Sequence, residues 1–359
     1  MATEHPLRHP AGRLPPWLAP AFADAALAWR GHALLLHGAA GVGQFDLALA
    51  LAASRLCEGP AADRAGGLAC GRCAACALIS ARSHPDLLVL VPEAQRTLWD
   101  SGAGEDRETG AGASKAKPSQ EIKVDAIRDV VGFAQQTASR GAVKVVLIYP
   151  AEQMNAIAAN TLLKTLEEPA GGTRFVLSTG HIEDLLPTVR SRCQLVRLPL
   201  PPADLSVQWL QEQSVKDAAV VLAAAGGQPQ LALERAQGGW DAQTWARWPS
   251  TLAAANADSA AGMQWPLPWL VDALGKLCHD AACVSAGGSP RFFPPDSVPQ
   301  GVDLHLLARW SQELARHARQ AQHPLNHHVQ AMALIQGAKA VLSRAKFTIT
   351  PQPKPRASR

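Results

Sequence analysis

The stretch His37-Gly38-Ala39-Ala40-Gly41-Val42-Gly43-Gln44-Phe45-Asp46 has the outline of a phosphate-binding loop with its two working positions replaced. The pattern G-x-x-x-x-G-K-[ST] uses glycines so that backbone N–H groups can wrap phosphates, a lysine to reach the outer phosphates, and a hydroxyl to hold Mg²⁺. Gly38 and Gly43 stand at that spacing and Gly41 adds freedom between them, but Gln44 occupies the lysine position and Phe45 the hydroxyl position. Leu34, Leu35 and Leu36 predict a buried strand before the loop and residues 46–53 a helix after it, so the strand–loop–helix context is complete. A glycine-rich turn in another α/β protein has the same local spacing, and the loop alone does not separate the two.

Working outward, the apolar run at residues 86–91 predicts a short strand. Val124, Ile127, Val131 and Ala134 fall on one helical face, and residues 144–148 form another apolar strand. A helix over about 157–168 is stopped by Pro169, and a strand follows at 174–178. Strands alternating with helices predict an α/β fold with a mostly parallel sheet covered on both faces. After Pro199-Leu200-Pro201-Pro202 no comparable strand is expected, only helical patterns to about residue 343. The stretch 93–120, Gly-rich around 102–112, reads as a surface loop, and 346–359 as a disordered basic tail.

Composition narrows the class without naming it. The 359 residues, 47% hydrophobic and 18% charged, suit a folded chain of two or three domains. A net charge of +4 is too small to argue for nucleic acid by itself. Charged residues interrupt every apolar stretch before it reaches spanning length, and residues 1–17 lack a signal-peptide core, so the expected compartment is the cytoplasm and no membrane partner is expected.

Four of the seven cysteines, Cys57, Cys70, Cys73 and Cys76, read C-x12-C-x2-C-x2-C. Such a set can close a tetrahedral Zn²⁺ shell of thiolates, and a closed shell leaves no position for water, so the expected role is structural. Redox disulfides are the competing interpretation. Cys193, Cys278 and Cys283 read as ordinary thiols.

A second site is also incomplete. In a nucleotide hydrolase the strand at 144–148 should end in acidic residues that hold Mg²⁺ and orient the attacking water; here it ends in Tyr149-Pro150. Glu152 reads as a capping or surface residue that starts the next helix and points away.

Asn160-Thr161-Leu162-Leu163-Lys164-Thr165-Leu166-Glu167-Glu168-Pro169, followed by Ser191-Arg192-Cys193, makes the chain recognisable. With the altered P-loop, the four-Cys insert and His84-Pro85-Asp86 in the same order, it resembles the bacterial DNA polymerase III clamp-loader subunits of the AAA+ family, most closely the delta-prime branch. The match covers the first two thirds; His323-Pro324-Leu325-Asn326 looks like the start of a collar helix. The resemblance implies an AAA+ ATPase-like module over 1–199 with its Cys₄ zinc insert at 57–76, a small helical lid at 200–240, and an all-helical collar for oligomerisation at 241–345. It implies a hetero-oligomer with gamma/tau motor subunits and a delta subunit, which loads a sliding clamp on primer-template DNA as part of the DNA polymerase III holoenzyme.

Within that family the substitutions at Gln44, Phe45 and Tyr149-Pro150 fit the non-hydrolysing member, so no ATP hydrolysis, and no catalytic activity of the chain alone, is expected. The resemblance implies that Arg192 is an arginine finger acting in trans on a neighbour's ATP, a role for which a permanently ionised fork of N–H donors is suited. Alone, the same arginine reads as a partner for a surface carboxylate. Lys164 reads as a contact to DNA phosphate or a neighbouring subunit, or as a solvated lysine. Gln228 and Gln230 stand where such lids often carry a nucleotide-sensing arginine. Two alternative functions remain at this stage: an active motor subunit of the same loader, or a zinc-dependent nucleic-acid-binding protein suggested by the cysteines and a pI near 8.7.

Overall fold

The computed structural model describes residues 14–99, 118–254, 265–320, 327–343 and 345–347; the Gly-rich stretch 102–112, residues 323–326 and most of the basic tail lie outside them. The chain divides into two compact units, Met1–Leu205 and Ser206–Arg359.

In the first unit the described elements are α1 (Leu18–Ala28), β1 (Ala33–Gly38), α2 (Gln44–Leu56), α3 (Ala74–Ser80), β2 (Leu87–Leu90), α4 (Val124–Gln135), β3 (Lys144–Ile148), α5 (Ala156–Glu167), β4 (Thr173–Thr179), α6 (Pro187–Arg190) and β5 (Gln194–Leu198). The strands form one five-stranded sheet in the order β2-β3-β4-β1-β5, with every pairing parallel. Because strand side chains alternate between faces, the two faces can be followed separately. Leu35, Val146, Ile148, Phe175 and Leu177 pack with Ile127, Val130 and Ala134 of α4 and Ala158, Ala159, Leu162 and Leu166 of α5. The intervening Leu34, Leu36, Val145, Leu147 and Val176 are also fully buried, as are Leu47, Ala48 and Leu51 of α2. A sheet covered on both faces is the expected solution for parallel strands linked by helices.

The elements expected around the loop are all present, with two differences. Val130, not Val131, is the valine that α4 buries fully; Val131 packs partly against the same core. The strand β5 was not expected, and its residues explain why. It is an edge strand, mostly exposed, so Gln194 and Arg197 interrupt any apolar signal.

The second unit begins within α7 (Ala203–Glu212) and continues as α8 (Ala218–Ala224), α9 (Pro229–Gln237), α10 (Ala242–Ala254), α11 (Leu267–Ser285), α12 (Leu304–Gln320) and α13 (His327–Leu342). Ala224 and Trp240 share one apolar core with Trp245, Trp248, Leu270, Leu274, Trp310 and Leu334. The buried Asp280 carboxylate accepts the backbone N–H groups of Arg291, Phe292 and Phe293 at 2.7–2.9 Å and so fixes the loop that carries Phe293 onto Trp245. None of the described helices is long and apolar enough to cross a membrane.

Two glycines of the first unit test these packing statements in opposite directions. A Cβ on Gly172 would lie 1.8 Å from the carbonyl oxygen of Ala142, whereas one on Gly132, inside α4, would meet nothing within 4 Å. Gly172→Ala is expected to destabilise the unit by about 1–3 kcal/mol through overpacking. Gly132→Ala is expected to stabilise it by about 0.5–1 kcal/mol through helix propensity. Urea unfolding followed by far-UV circular dichroism should move the midpoint down for the first and up for the second; a Gly172→Ala midpoint at or above wild type would contradict the close approach.

Candidate functional site

The loop between β1 and α2 has the backbone of a phosphate cradle. Gly41 and Gly43 take positive φ values of 76° and 102°, which side-chain-bearing residues rarely adopt. Val42 is buried, and its carbonyl accepts the indole N–H of Trp17 at 2.8 Å. Within this frame the chemistry is replaced. Gln44 is buried, and its Nε2 donates to the carbonyls of Gly38 at 2.9 Å and Ala39 at 2.6 Å. The amide therefore staples the loop to itself where a lysine would extend toward phosphate. Phe45, at the hydroxyl position, packs against Tyr149, at the acidic strand end, with ring centroids 5.4 Å apart. Two aromatic rings thus occupy the positions that would hold and orient a metal-bound phosphate.

Glu152 differs from its expected role. It lies in a 3-10 turn, and its Oε1 accepts the N–H of Gly180, just after β4, at 2.9 Å; Asn155 caps α5 instead, accepting the Ala158 N–H. The other oxygen, Oε2, is buried with no partner among the described residues. Gly180 also packs on Ala40, so this carboxylate borders the loop. Together with Asp46 in the first turn of α2, it places negative charge beside a cradle that phosphate would need positive.

The four cysteines converge. Their Sγ atoms all lie within 4.8 Å of one another, with Cys57 and Cys73 3.9 Å apart and Cys70 and Cys76 4.0 Å apart. Sulfurs each roughly 2.3 Å from one tetrahedral ion stand about 3.8 Å from each other, so the donor set fits a metal. Cys57 ends α2, and Cys73 caps α3 while accepting the N–H of Cys76 at 3.5 Å. The Cys70 N–H donates to the Cys57 sulfur at 3.3 Å. Burial pushes the Cys73 thiol up, but N–H donors from Cys76 and Glu58 outweigh it and bring the thiol down to about 6, as an anionic ligand requires. Gly59 must be glycine here, since a Cβ would sit 2.6 Å from the Cys70 sulfur.

Several supporting residues are invisible to motif reading. Arg64 donates to the carbonyls of Cys57 and Gly59. Arg140 grips Glu58 through Nε and Nη2 at 2.9 and 3.1 Å, while Asp86 accepts the backbone N–H groups of Ser139 and Arg140. His84-Pro85-Asp86 therefore acts by fixing the loop before β3, and that loop in turn holds the cysteine insert against the sheet.

Arg192 follows α6. Its Nε and Nη2 both contact Oε1 of Glu167, at 2.8 and 2.6 Å, and Nη1 donates to the Thr188 carbonyl at 2.8 Å. The two motifs that made the chain recognisable thus meet in one ion pair, and the carboxylate partner expected of a surface arginine is present. Neighbouring Cys193 is pushed up to about 12 by burial, so its thiol is inert. In the second unit Gln228 precedes α9, and the arginine of that helix, Arg235, is buried and bound to Asp272 at 2.5 Å. Lys164 is exposed on the polar face of α5, together with Asn160 and Thr161.

A five-stranded parallel sheet covered on both faces by helices, with a glycine loop of P-loop spacing after β1, defines the first unit as a P-loop-type α/β module in which Gln44 and Phe45 stand at the lysine and hydroxyl positions. Residues 26–202 match the family described as DNA polymerase III, delta subunit. The DNA polymerase III subunit delta′ of Escherichia coli is 35% identical over 290 residues, 75% of this chain and 78% of that protein. The one from Pseudomonas aeruginosa is 42% identical over 215 residues, 59% of this chain and 57% of that protein, so the chain spans little more than half of this relative. The chain belongs to the family of DNA polymerase III delta′ subunits. Among solved structures, a DNA polymerase III gamma subunit-related protein from Thermotoga maritima aligns over 90% of this chain and 99% of its own, at 14% identity and a TM-score of 0.47.

If the Gln44 amide is what holds the loop, Gln44→Ala strands the Gly38 and Ala39 carbonyls and is expected to lower stability by about 1–3 kcal/mol. Equilibrium unfolding measures this directly. A neutral substitution would mean that the loop keeps its shape without the staple.

Proposed function

We propose that the chain is the non-hydrolysing delta′ member of a clamp loader, working in the cytoplasm in a hetero-oligomeric ring with gamma/tau motor subunits and a delta subunit. Through that ring it serves the loading of a sliding clamp on primed DNA. The observation that carries this is the replacement of the nucleotide machinery by internal contacts: the Gln44 amide on the loop carbonyls and the Phe45 ring on Tyr149. A motor subunit with those contacts has neither a cation for the phosphates nor ligands for Mg²⁺. What the chain retains is Arg192, which has an N–H without a partner among the described residues, and in this reading it completes the ATP site of a neighbouring motor subunit.

In the same reading residues 200–240 act as the lid and 241–345 as the collar through which the subunits assemble. Cys57, Cys70, Cys73 and Cys76 hold Zn²⁺, which crosslinks α2 to the insert. The ion supplies no chemistry to hydrolysis.

The purified chain is expected to show no Mg²⁺-dependent ATP turnover, and Gln44→Lys alone should not create any, because the magnesium ligands would still be missing. Turnover at the rate of a motor subunit would refute the non-hydrolysing assignment.

One tightly held Zn²⁺ per chain is expected by elemental analysis of protein prepared without chelator. Cys73→Ser should lose the metal and lower the melting temperature of the first unit; full metal content with an unchanged melting temperature would exclude the four-thiolate shell.

In the assembled loader, Arg192→Ala should leave assembly intact while slowing clamp- and DNA-stimulated hydrolysis. Arginine fingers in trans are worth roughly 10³–10⁵ at the site they serve, but only one of several motor sites is touched, so the loss in total turnover should be partial. A mutant loader that hydrolyses ATP at the wild-type rate would remove the finger role.

A further inference from the structure

The last turn of α5 breaks a local rule. The partial negative charge at a helix C-terminus favours cations, yet Glu167 closes this helix and Glu168 follows it as C-cap. Two carboxylates there are unfavourable for the helix, and although Lys164 stands in the same turn, the cation that Glu167 actually pairs with is Arg192, twenty-five residues further along the chain. The pair is not a strong stabilising device either, because its side chains are 29% and 49% exposed and partly exposed ion pairs contribute little. A residue that opposes its own helix and adds little stability is better explained by what it does to its partner.

Geometry shows what that is. A guanidinium carries five N–H donors in a fixed plane. Glu167 Oε1 takes the Nε–H, with Nη2 in ion-pair contact at 2.6 Å on the same side; the Thr188 carbonyl takes one Nη1–H. Nη2 makes no hydrogen bond among the described residues beyond its ion-pair contact, and the second Nη1–H has at most a long 3.4 Å contact to the Ser191 hydroxyl. Because Glu167 engages the Nε side of the plane, the free Nη2–H lies along the outer end of the fork. Both edges of the guanidinium are held and its tip is left open.

We propose that Glu167 is the positioning residue of Arg192: it clamps the guanidinium by its inner edge, with the Thr188 carbonyl on the other side, so that the outer end is presented ready-made to a phosphate of a neighbouring subunit. This rests on the finger role assigned to Arg192 above. A flexible arginine must lose rotamer freedom when it engages a transferring phosphoryl group, and a clamp present before assembly removes that loss from the reaction step. Glu167 does not touch the phosphate and acts only through Arg192.

The test uses the assembled loader with Glu167→Ala, Glu167→Gln, Arg192→Ala and the double substitution, measuring clamp- and DNA-stimulated ATP hydrolysis. Glu167→Ala should lower kcat, with KM for ATP nearly unchanged, by about tenfold at the affected site, less than the loss of the finger itself. Glu167→Gln, which still offers one acceptor oxygen, should fall between it and wild type. The double variant should be no slower than Arg192→Ala alone, because a clamp without a guanidinium has nothing to position. The melting temperature of the isolated Glu167→Ala chain should stay near wild type.

The failures separate cleanly. A wild-type rate for Arg192→Ala removes the finger and the clamp together. A slow Arg192→Ala with a wild-type Glu167→Ala leaves the finger standing and overturns the clamp. A double variant slowed by the product of the two single effects would show Glu167 acting independently of Arg192, which also overturns it.

Discussion

The contact between the Gln44 amide and the carbonyls of Gly38 and Ala39 sets the character of the first unit. In a nucleotide-binding loop the backbone N–H groups turn inward around an anion, and the loop depends on that anion for its full complement of bonds. Here a buried side chain braces the loop from inside, its Nε2 donating to two loop carbonyls. Its frame is set by neighbours that are themselves fixed. Gly38 runs so close to Leu198 that a Cβ would stand 2.4 Å from that carbonyl oxygen, and β5 carries on directly from the segment holding Arg192. The loop, the edge strand and the arginine segment are therefore one connected frame.

Electrostatics around the loop point the same way. Glu152 borders the loop with one oxygen buried and no partner for it among the described residues. A nucleotide site would answer such a carboxylate with Mg²⁺ or a cation. Instead, the two positions that would supply ligands hold touching rings, and an aromatic contact needs neither charge nor water. The lysine position thus holds an amide whose Nε2 bonds the loop carbonyls and whose Oε1 is buried with no partner among the described residues, and the hydroxyl position holds an apolar ring.

How much of this was legible in the sequence follows from the range of the interaction. The strands β1, β3 and β4 and the helix α5 announce themselves because burial imposes a local apolar pattern, and the altered residues of the loop are fixed by their spacing. The four cysteines were legible for the same reason. Strand β5 was not, since an edge strand with Gln194 and Arg197 need not be apolar. Glu152 was misplaced because its partner, Gly180, is 28 residues away. Arg140 gripping Glu58 across 82 residues, and Asp86 holding the Arg140 N–H across 54, leave no periodic trace at all. Motifs located the site; the side chains that hold the motifs in place came from the fold.

The two arginines bound to carboxylates show how structure separates a scaffold residue from an available one. Arg235 is 3% exposed, lies over the Trp240 ring, and spends its terminal nitrogens on Asp272 and the Ala224 carbonyl. That carboxylate is also shared with Lys276, whose amine burial pulls down to about 8, so one carboxylate serves two cations within the second unit. Arg192 has the same kind of carboxylate partner but the opposite disposition: it is half-open to solvent, gripped along one edge, and left with a donor at its tip. Sequence gives both residues the same formal charge and the same repertoire of bonds. The distribution of partners around the plane separates an arginine enclosed in a core, with Nη1 and Nη2 spent on a carbonyl and a carboxylate, from one at the surface that is gripped along a single edge.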